Sequence, residues 1–431
     1  MRSRALAFVC CWFVAVACTR PGNATSNAAA EGPANAAGDG TGVGVVAAPD
    51  RVRPLVQAPK SIGAGNALAI AAVFPTLGRY AVSGLQSLYG AQLAVEDINR
   101  AGGVRGRPLR LGEYRTGSYF VDAHEAAVLA ARDGALAIVG ANSSELSLAV
   151  SEAAEANGIL QITNVSTTSD LTWDPRTGRV RPFVFRMCAS DDVIGSLLAA
   201  FARDRLGARR VALLYEVGRS YSALLARSFQ RGFADASAGR VVSEFFYLAL
   251  ETDFRPQLRR IKEFKPDVVF MPGSFPDATL AAVQSRQFGL RATFLGGDAW
   301  SSPLLFQKGT PLGEAYYVEL CSPAPEFDRR YAKAFGSEPP GCRAVLAYDT
   351  IRVIAAGLRR LGALSPPDLA ERLPQTRRRL RDAVARSQVD GVTGSIRFDA
   401  RGNRRQGVAL YAVEGTPMGL RALVRGWLGE P

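Results

Sequence analysis

Histidine is nearly missing: the 431 residues hold one, His124. With no second histidine and no CxxC pair, the chain offers no zinc-ligand cluster and no histidine-dependent triad. Long apolar runs are also scarce. Beyond the N-terminus none reaches the ~20 residues that a membrane-spanning helix needs. No glycine-rich phosphate loop opens a helix, because AGGVRG at 101–106 lies between a helix-like and a strand-like segment and reads as a turn. Acidic residues are outnumbered, 39 against 52 basic ones, giving a net charge of +13. That surplus keeps anionic ligands and nucleic acid in view. The charges are scattered, however, and the one dense run, Arg377-Arg378-Arg379 with Arg381, reads as the solvated face of a helix.

What is present suits a globular protein with a sizeable core: 48% of residues are hydrophobic and 21% charged. The length favours two lobes over one. The N-terminus is a different object. Met1–Arg4 is basic, Ala5–Ala17 is apolar, and the segment ends Ala15-Val16-Ala17-Cys18, so residues 1–18 read as a secretory signal. Cys18 resembles the lipidated cysteine of a bacterial lipobox, which would tether the protein to a membrane without spanning it. Ala15 stands where such boxes prefer leucine, and ordinary signal-peptidase cleavage stays open. Residues 19–66 are rich in Ala, Gly, Pro, Asn and Thr and are expected to form a flexible, disordered tether. Export permits disulfides. Cys321 and Cys342 flank a predicted helix and are candidates for a bond, with two buried thiols as the alternative. Cys188 reads as a small buried apolar residue.

From Leu68 onward strands and helices alternate. Leu68–Phe74 is apolar without alternation, as in a strand buried within a parallel sheet. The next helix carries Leu88, Ala91, Val95 and Ile98 on one stripe and closes at Ala101-Gly102-Gly103. Further strands are expected near 109–114, 136–139 and 159–162. After Phe185-Arg186-Met187-Cys188 the pattern restarts. Asp191 is placed to cap a helix with stripe Ile194, Leu197, Leu198 and Phe201, and βα units continue to about Gly296. Such repeats build parallel sheets with helices on both faces. The two last β-like runs, Gly394–Phe398 and Val408–Val413, are expected to pair antiparallel about a turn at 399–403.

The stretch IVGANSSELSLAVSEAAEANGILQITNVSTTSDLT, 138–172, puts small hydroxyl and amide residues just past two successive strands. Ligands of open parallel sheets bind beyond the carboxyl ends of the strands. The helix that begins there presents unpaired N–H groups to an anion. Ser144 fits a carboxylate receptor, and Thr167 with nearby carbonyls fits an ammonium. Plain N-capping is the competing reading of each.

The ordered segments GRYAVSGLQSLYGAQLAVEDINRAGGVRGRPL, GANSSELSLAVSEAAEANGIL, FRMCASD and ARRVALLYEVGRSYSALLARSFQRGF resemble the type I periplasmic solute-binding proteins. The leucine/isoleucine/valine-binding branch is the most similar, over about Leu68 to Val413. The resemblance implies an α/β protein with two Rossmann-like lobes, parallel sheets and three hinge crossings, near Cys188, Glu319 and Gly402. Lobe 1 would comprise 67–188 plus 320–402, and lobe 2 189–319 plus 403–431. It implies carboxylate binding at Ser144, ammonium binding at Thr167 with backbone help from Val165 and Ser166, and Tyr221 and Asp298 across the cleft. Ser274 stands where the branch has a further aromatic, so the side-chain pocket is expected to be larger or more polar. Arg79 and Tyr80 sit where the family lines that pocket; Arg79 would favour an acidic or polar side chain, or be merely exposed. Trp300 either walls the cleft or packs in the core.

The implied protein is a monomeric lipoprotein of the periplasm or cell envelope, without cofactor or metal. It captures an amino acid by cleft closure and hands it to a membrane ABC permease. A ligand sensor of the same fold is the alternative. An enzyme is not expected, since no activated nucleophile accompanies Tyr221 and Asp298. DNA-binding regulators of this fold carry a helix-turn-helix ahead of it, where this chain has low-complexity sequence.

Overall fold

The computed structural model describes residues 56–59, 62, 65–234, 239–301, 314–336, 341–416 and 419–429. The signal-like segment, Cys18 and most of the expected tether lie outside the described residues.

Two main sheets organise the chain. The first has six strands in the order Val56–Gln57, Leu109–Thr116, Leu68–Pro75, Ala137–Gly140, Leu160–Thr163 and Val184–Arg186. All but the first are parallel to their neighbours. The central strands are buried along their length because helices cover both faces, which is why Leu68–Pro75 and Ala137–Gly140 are apolar throughout and the polar Gln161 and Thr163 of the third are buried with them. The second sheet has seven strands: Arg240–Tyr247, Arg210–Glu216, Val268–Phe270, Thr293–Leu295, Ala315–Glu319, Val408–Thr416 and Gly419–Leu428. Its first five are parallel and its last two antiparallel.

The chain passes between the sheets three times: after Arg186, after Glu319, and between Arg397 and Val408. The helices Ala81–Arg100 and Cys342–Arg360 pack closely on the first sheet's side. Gly90 permits that contact, since a Cβ there would strike the Ala344 carbonyl. One hydrophobic cluster runs from Leu68 and Ile70 through Met187 and Leu213 to Val408, so the inward faces of both sheets share a core.

Cys321 and Cys342 form a disulfide with Cα atoms 5.6 Å apart, and Cys188 is a buried free thiol. Trp300 is a core residue: its indole N–H donates to the Met271 carbonyl at 3.0 Å. No helix among the described residues is long and apolar enough to cross a membrane.

Three expectations need correction. The tether does not extend to Asn66, because Val56 and Gln57 pair antiparallel with Thr116 and Arg115, and Ile62 is buried beside Ala71 and Tyr114. Average composition hides a few apolar residues that an open sheet edge can recruit. The strands Gly394–Arg397 and Val408–Thr416 do not pair as a hairpin. Gly394–Arg397 pairs with Gln388–Gly391, and Val408–Thr416 lies between Ala315–Glu319 and Gly419–Leu428. A strand that crosses between lobes finds its partners in the other sheet, which local pattern does not reveal.

Finally, Arg377 is not on a solvated face. It is buried, and its Nε and Nη2 donate to the Ala135 and Ala131 carbonyls at 2.9 and 2.7 Å, closing the end of the helix Phe120–Arg132. Arg377→Met is expected to lower stability by about 1–3 kcal/mol, the worth of hydrogen bonds to a charged donor. The exposed neighbour change Arg378→Ala stays within about 0.5 kcal/mol. Urea denaturation of both variants checks the difference.

Candidate functional site

Every parallel strand near the middle of each sheet ends at one cavity of about 450 Å³. In the first sheet Leu68–Pro75 leads to Arg79 and Tyr80, Ala137–Gly140 to Asn142, Ser143 and Ser144, and Leu160–Thr163 to Val165 and Thr167. In the second sheet Arg210–Glu216 leads to Arg219 and Tyr221, Val268–Phe270 to Ser274, and Thr293–Leu295 to Asp298. Thr167 and Asp298 therefore open onto the same space from opposite lobes.

The helix Ser144–Ala156 is capped by Ser143, whose side chain accepts from the Leu146 N–H at 3.4 Å. Capping thus occupies the neighbour and leaves Ser144 in the first helical turn on the cavity wall. Thr167 is held through its carbonyl, which accepts from Arg186 Nη1 at 2.6 Å and from the Asp191 N–H at 2.7 Å. Ser166 is brought elsewhere. It is buried behind the wall, its carbonyl taken by Arg186 and by the Cys188 thiol. Ser274 lines the cavity but is committed to a capping box with Asp277, whose Oδ2 accepts from the Ser274 N–H at 3.3 Å. Tyr80 donates to Glu145 Oε2 at 3.4 Å.

Across the cavity the Tyr221 hydroxyl accepts from the Ala299 N–H at 3.2 Å and so fixes the turn Asp298–Trp300. Asp298 Oδ1 is buried without a hydrogen-bond partner. Burial holds its carboxyl above the ordinary range, against the pull of Tyr221 and Arg343. Sequence reasoning missed three charged groups beside it. Glu319 and Arg343 also line the cavity. Burial pushes Glu319 up to about 7, opposed by Ser301 and Arg343. Asp191, expected only as a helix cap, is fully buried behind Thr167, and burial raises its carboxyl well above the carboxylate range. The unpartnered Asp298 oxygen therefore faces the cavity as an acceptor, and a cation arriving there would favour its ionised form. Among the described residues no group of three His, Cys, Asp or Glu is placed to hold a metal ion.

The family model of the periplasmic binding proteins matches residues 67–416. The chain belongs to that family. Within it the chain is of the type I, leucine/isoleucine/valine-binding branch, and is a solute-binding protein rather than an enzyme. It is similar to the Leu/Ile/Val-binding protein BraC3 of Rhizobium johnstonii, 28% identical over 69% of this chain and 80% of that protein. Among solved structures, the leucine binding protein LivK of Thermotoga maritima matches with a TM-score of 0.71 and 26% identity, covering 84% of this chain and 99% of that one. A solute binding protein of Rhodopseudomonas palustris in complex with benzoate has the same fold at 20% identity, with a TM-score of 0.68 over 84% of this chain and 96% of that one.

In this binding protein the raised Glu319 makes a pH signature. An acid whose folded-state pKa is raised penalises the fold once it ionises, so stability falls as pH rises from the ordinary carboxyl value of 4.5 to about 7. Glu319→Gln removes the titration. Its melting temperature relative to the wild type is expected to climb across that window and level off above it, which calorimetry of the unliganded proteins at stepped pH would reveal.

Proposed function

We propose that the protein captures an α-amino acid between its lobes and delivers it to an ABC permease, as an envelope lipoprotein anchored through Cys18 and acting as a monomer. The reading rests on one observation: Ser144 and Thr167 on one wall and Asp298 and Tyr221 on the other line the same cavity. The ligand carboxylate is taken at the N-terminus of the helix Ser144–Ala156 by the Ser144 hydroxyl and backbone N–H groups. The ammonium lies between Thr167, the carbonyl of Val165 and the unpartnered oxygen of Asp298. A zwitterion meets donors where it is negative and acceptors where it is positive, so desolvation of both ends is compensated. The relatives named for leucine, isoleucine and valine support an amino-acid ligand. A benzoate-like acid would use the carboxylate end alone and leave Asp298 without a partner.

Thermal shift against the twenty amino acids and benzoate tests this. A ligand at a hundredfold excess over its dissociation constant adds about 2.7 kcal/mol of stability. Asp298→Ala is expected to weaken binding at least ~100-fold, the cost of breaking a buried charge pair, whereas Arg378→Ala leaves the shift intact. Equal effects of the two changes, or a shift with benzoate that survives Asp298→Ala, sink the reading. Metabolic labelling with palmitate, present in the wild type and lost in Cys18→Ser, checks the anchor; labelling of both would point away from Cys18.

A further inference from the structure

Away from the carboxylate and ammonium positions, the cavity wall mixes apolar side chains such as Leu250, Phe275 and Pro276 with cationic ones that an aliphatic ligand would leave unmatched. Arg79 from the first lobe and Arg219 from the second both line it, together with Asn142. The Arg219 guanidinium lies over the rings of Tyr80 and Tyr221, with centroids at 5.7 and 5.3 Å, so it stands between the lobes. Its side chain is 13% exposed.

The two arginines share one nearby carboxylate and make close contact with neither oxygen of it. Arg79 Nη1 is 3.6 Å from Glu216 Oε1, and Arg219 Nη1 is 3.9 Å from Glu216 Oε2. Charge-assisted N–H···O bonds run at about 2.7–2.9 Å, so both forks are unspent. Arg219 Nε is buried with no acceptor, and Glu216 Oε2 is buried with no donor. Glu216 and Glu145 do not line the cavity, and Asp277, which does, is engaged by the Tyr247 hydroxyl and the Ser274 N–H, so the free hydrogen-bonding capacity presented to a ligand at this end is that of the arginines.

We propose that the cleft selects α-amino acids whose side chain ends in a second anionic group, a carboxylate, and that Arg219 assisted by Arg79 receives it. The inference rests on the amino-acid reading above. A cavity of about 450 Å³ falls within the range of ~300–1,000 Å³ that encloses ligands larger than a minimal zwitterion. Phe275 and Leu250 on its wall suit the methylene stem between the two ends. A planar carboxylate matches the guanidinium fork with two parallel hydrogen bonds, which a lysine or an amide ligand does not reproduce. An aliphatic side chain would instead desolvate the unspent donors of Arg219 without replacing their water.

Isothermal titration with L-glutamate, L-2-aminoadipate, L-glutamine, L-leucine and L-isoleucine tests the inference. The dicarboxylic amino acids are expected to bind at least about tenfold tighter than leucine and than glutamine, the near-isosteric amide of glutamate that lacks its charge and one acceptor oxygen. Arg219→Leu should invert that order, and Arg219→Lys should keep part of it. The melting curve of unliganded Arg219→Leu reports whether that variant folds; if it does not, the wild-type order and Arg79→Leu, expected to narrow the glutamate-to-glutamine ratio, decide. Leucine or isoleucine binding tightest in the wild type, or a preference unchanged by both arginine variants, overturns the inference. Should leucine bind best and Asp298→Ala abolish it, the amino-acid reading stands and this inference alone falls. Should no amino acid bind, both fall.

Discussion

The buried guanidinium of Arg186 holds the site together. It sits at the end of the last strand of the first sheet, 1% exposed. Its donors go to the carbonyls of Thr167 and Thr168 at 2.6 and 2.7 Å and to Asn403 Oδ1 at 2.8 and 2.9 Å. A buried cation is tolerable only when its donors are met and a compensating charge is near. The neutral oxygens supply the first condition, and Asp192 and Asp399 lie near enough to contribute to the second. One side chain therefore joins the loop that carries Thr167, the first crossing and the third.

The crossings are also linked to one another. The Arg186 N–H donates to Gly402 at 2.9 Å, and the Gln406 amide donates to the Leu320 carbonyl of the second crossing. Gly402 adopts φ +78°, and a Cβ there would lie 2.7 Å from the Val184 carbonyl, so the third strand of the hinge passes close to the first only because this residue lacks one. Three chains bound side by side bend together. That arrangement suits rigid lobes that open and close about one axis, with the charged cleft between them and Arg219 reaching toward Tyr80 of the opposite lobe.

Much of this was legible in the residues. Unbroken apolar runs such as Leu68–Phe74 declare buried parallel strands, and the hydroxyl clusters after them mark the ligand end of the sheet. What misled were residues whose surroundings are non-local. Arg377 looked solvated because its neighbours in sequence are charged, yet its carbonyl partners lie more than 240 positions away. Asp191 looked like a cap, and only the packed loop above it makes it a fully buried carboxyl whose ionisation is disfavoured.

The sequence alone determined the fold class, the family and the position of the cleft along each strand. Those follow from periodicity and from chemistry that repeats at every strand end. Tertiary structure decided which polar groups remain unpaired inside that cleft. Whether Arg219 or Asp298 retains hydrogen-bonding capacity depends on the distances at which Glu216, Tyr221 and Arg343 settle, and those are set by two lobes closing on each other, a constraint no local run of residues contains.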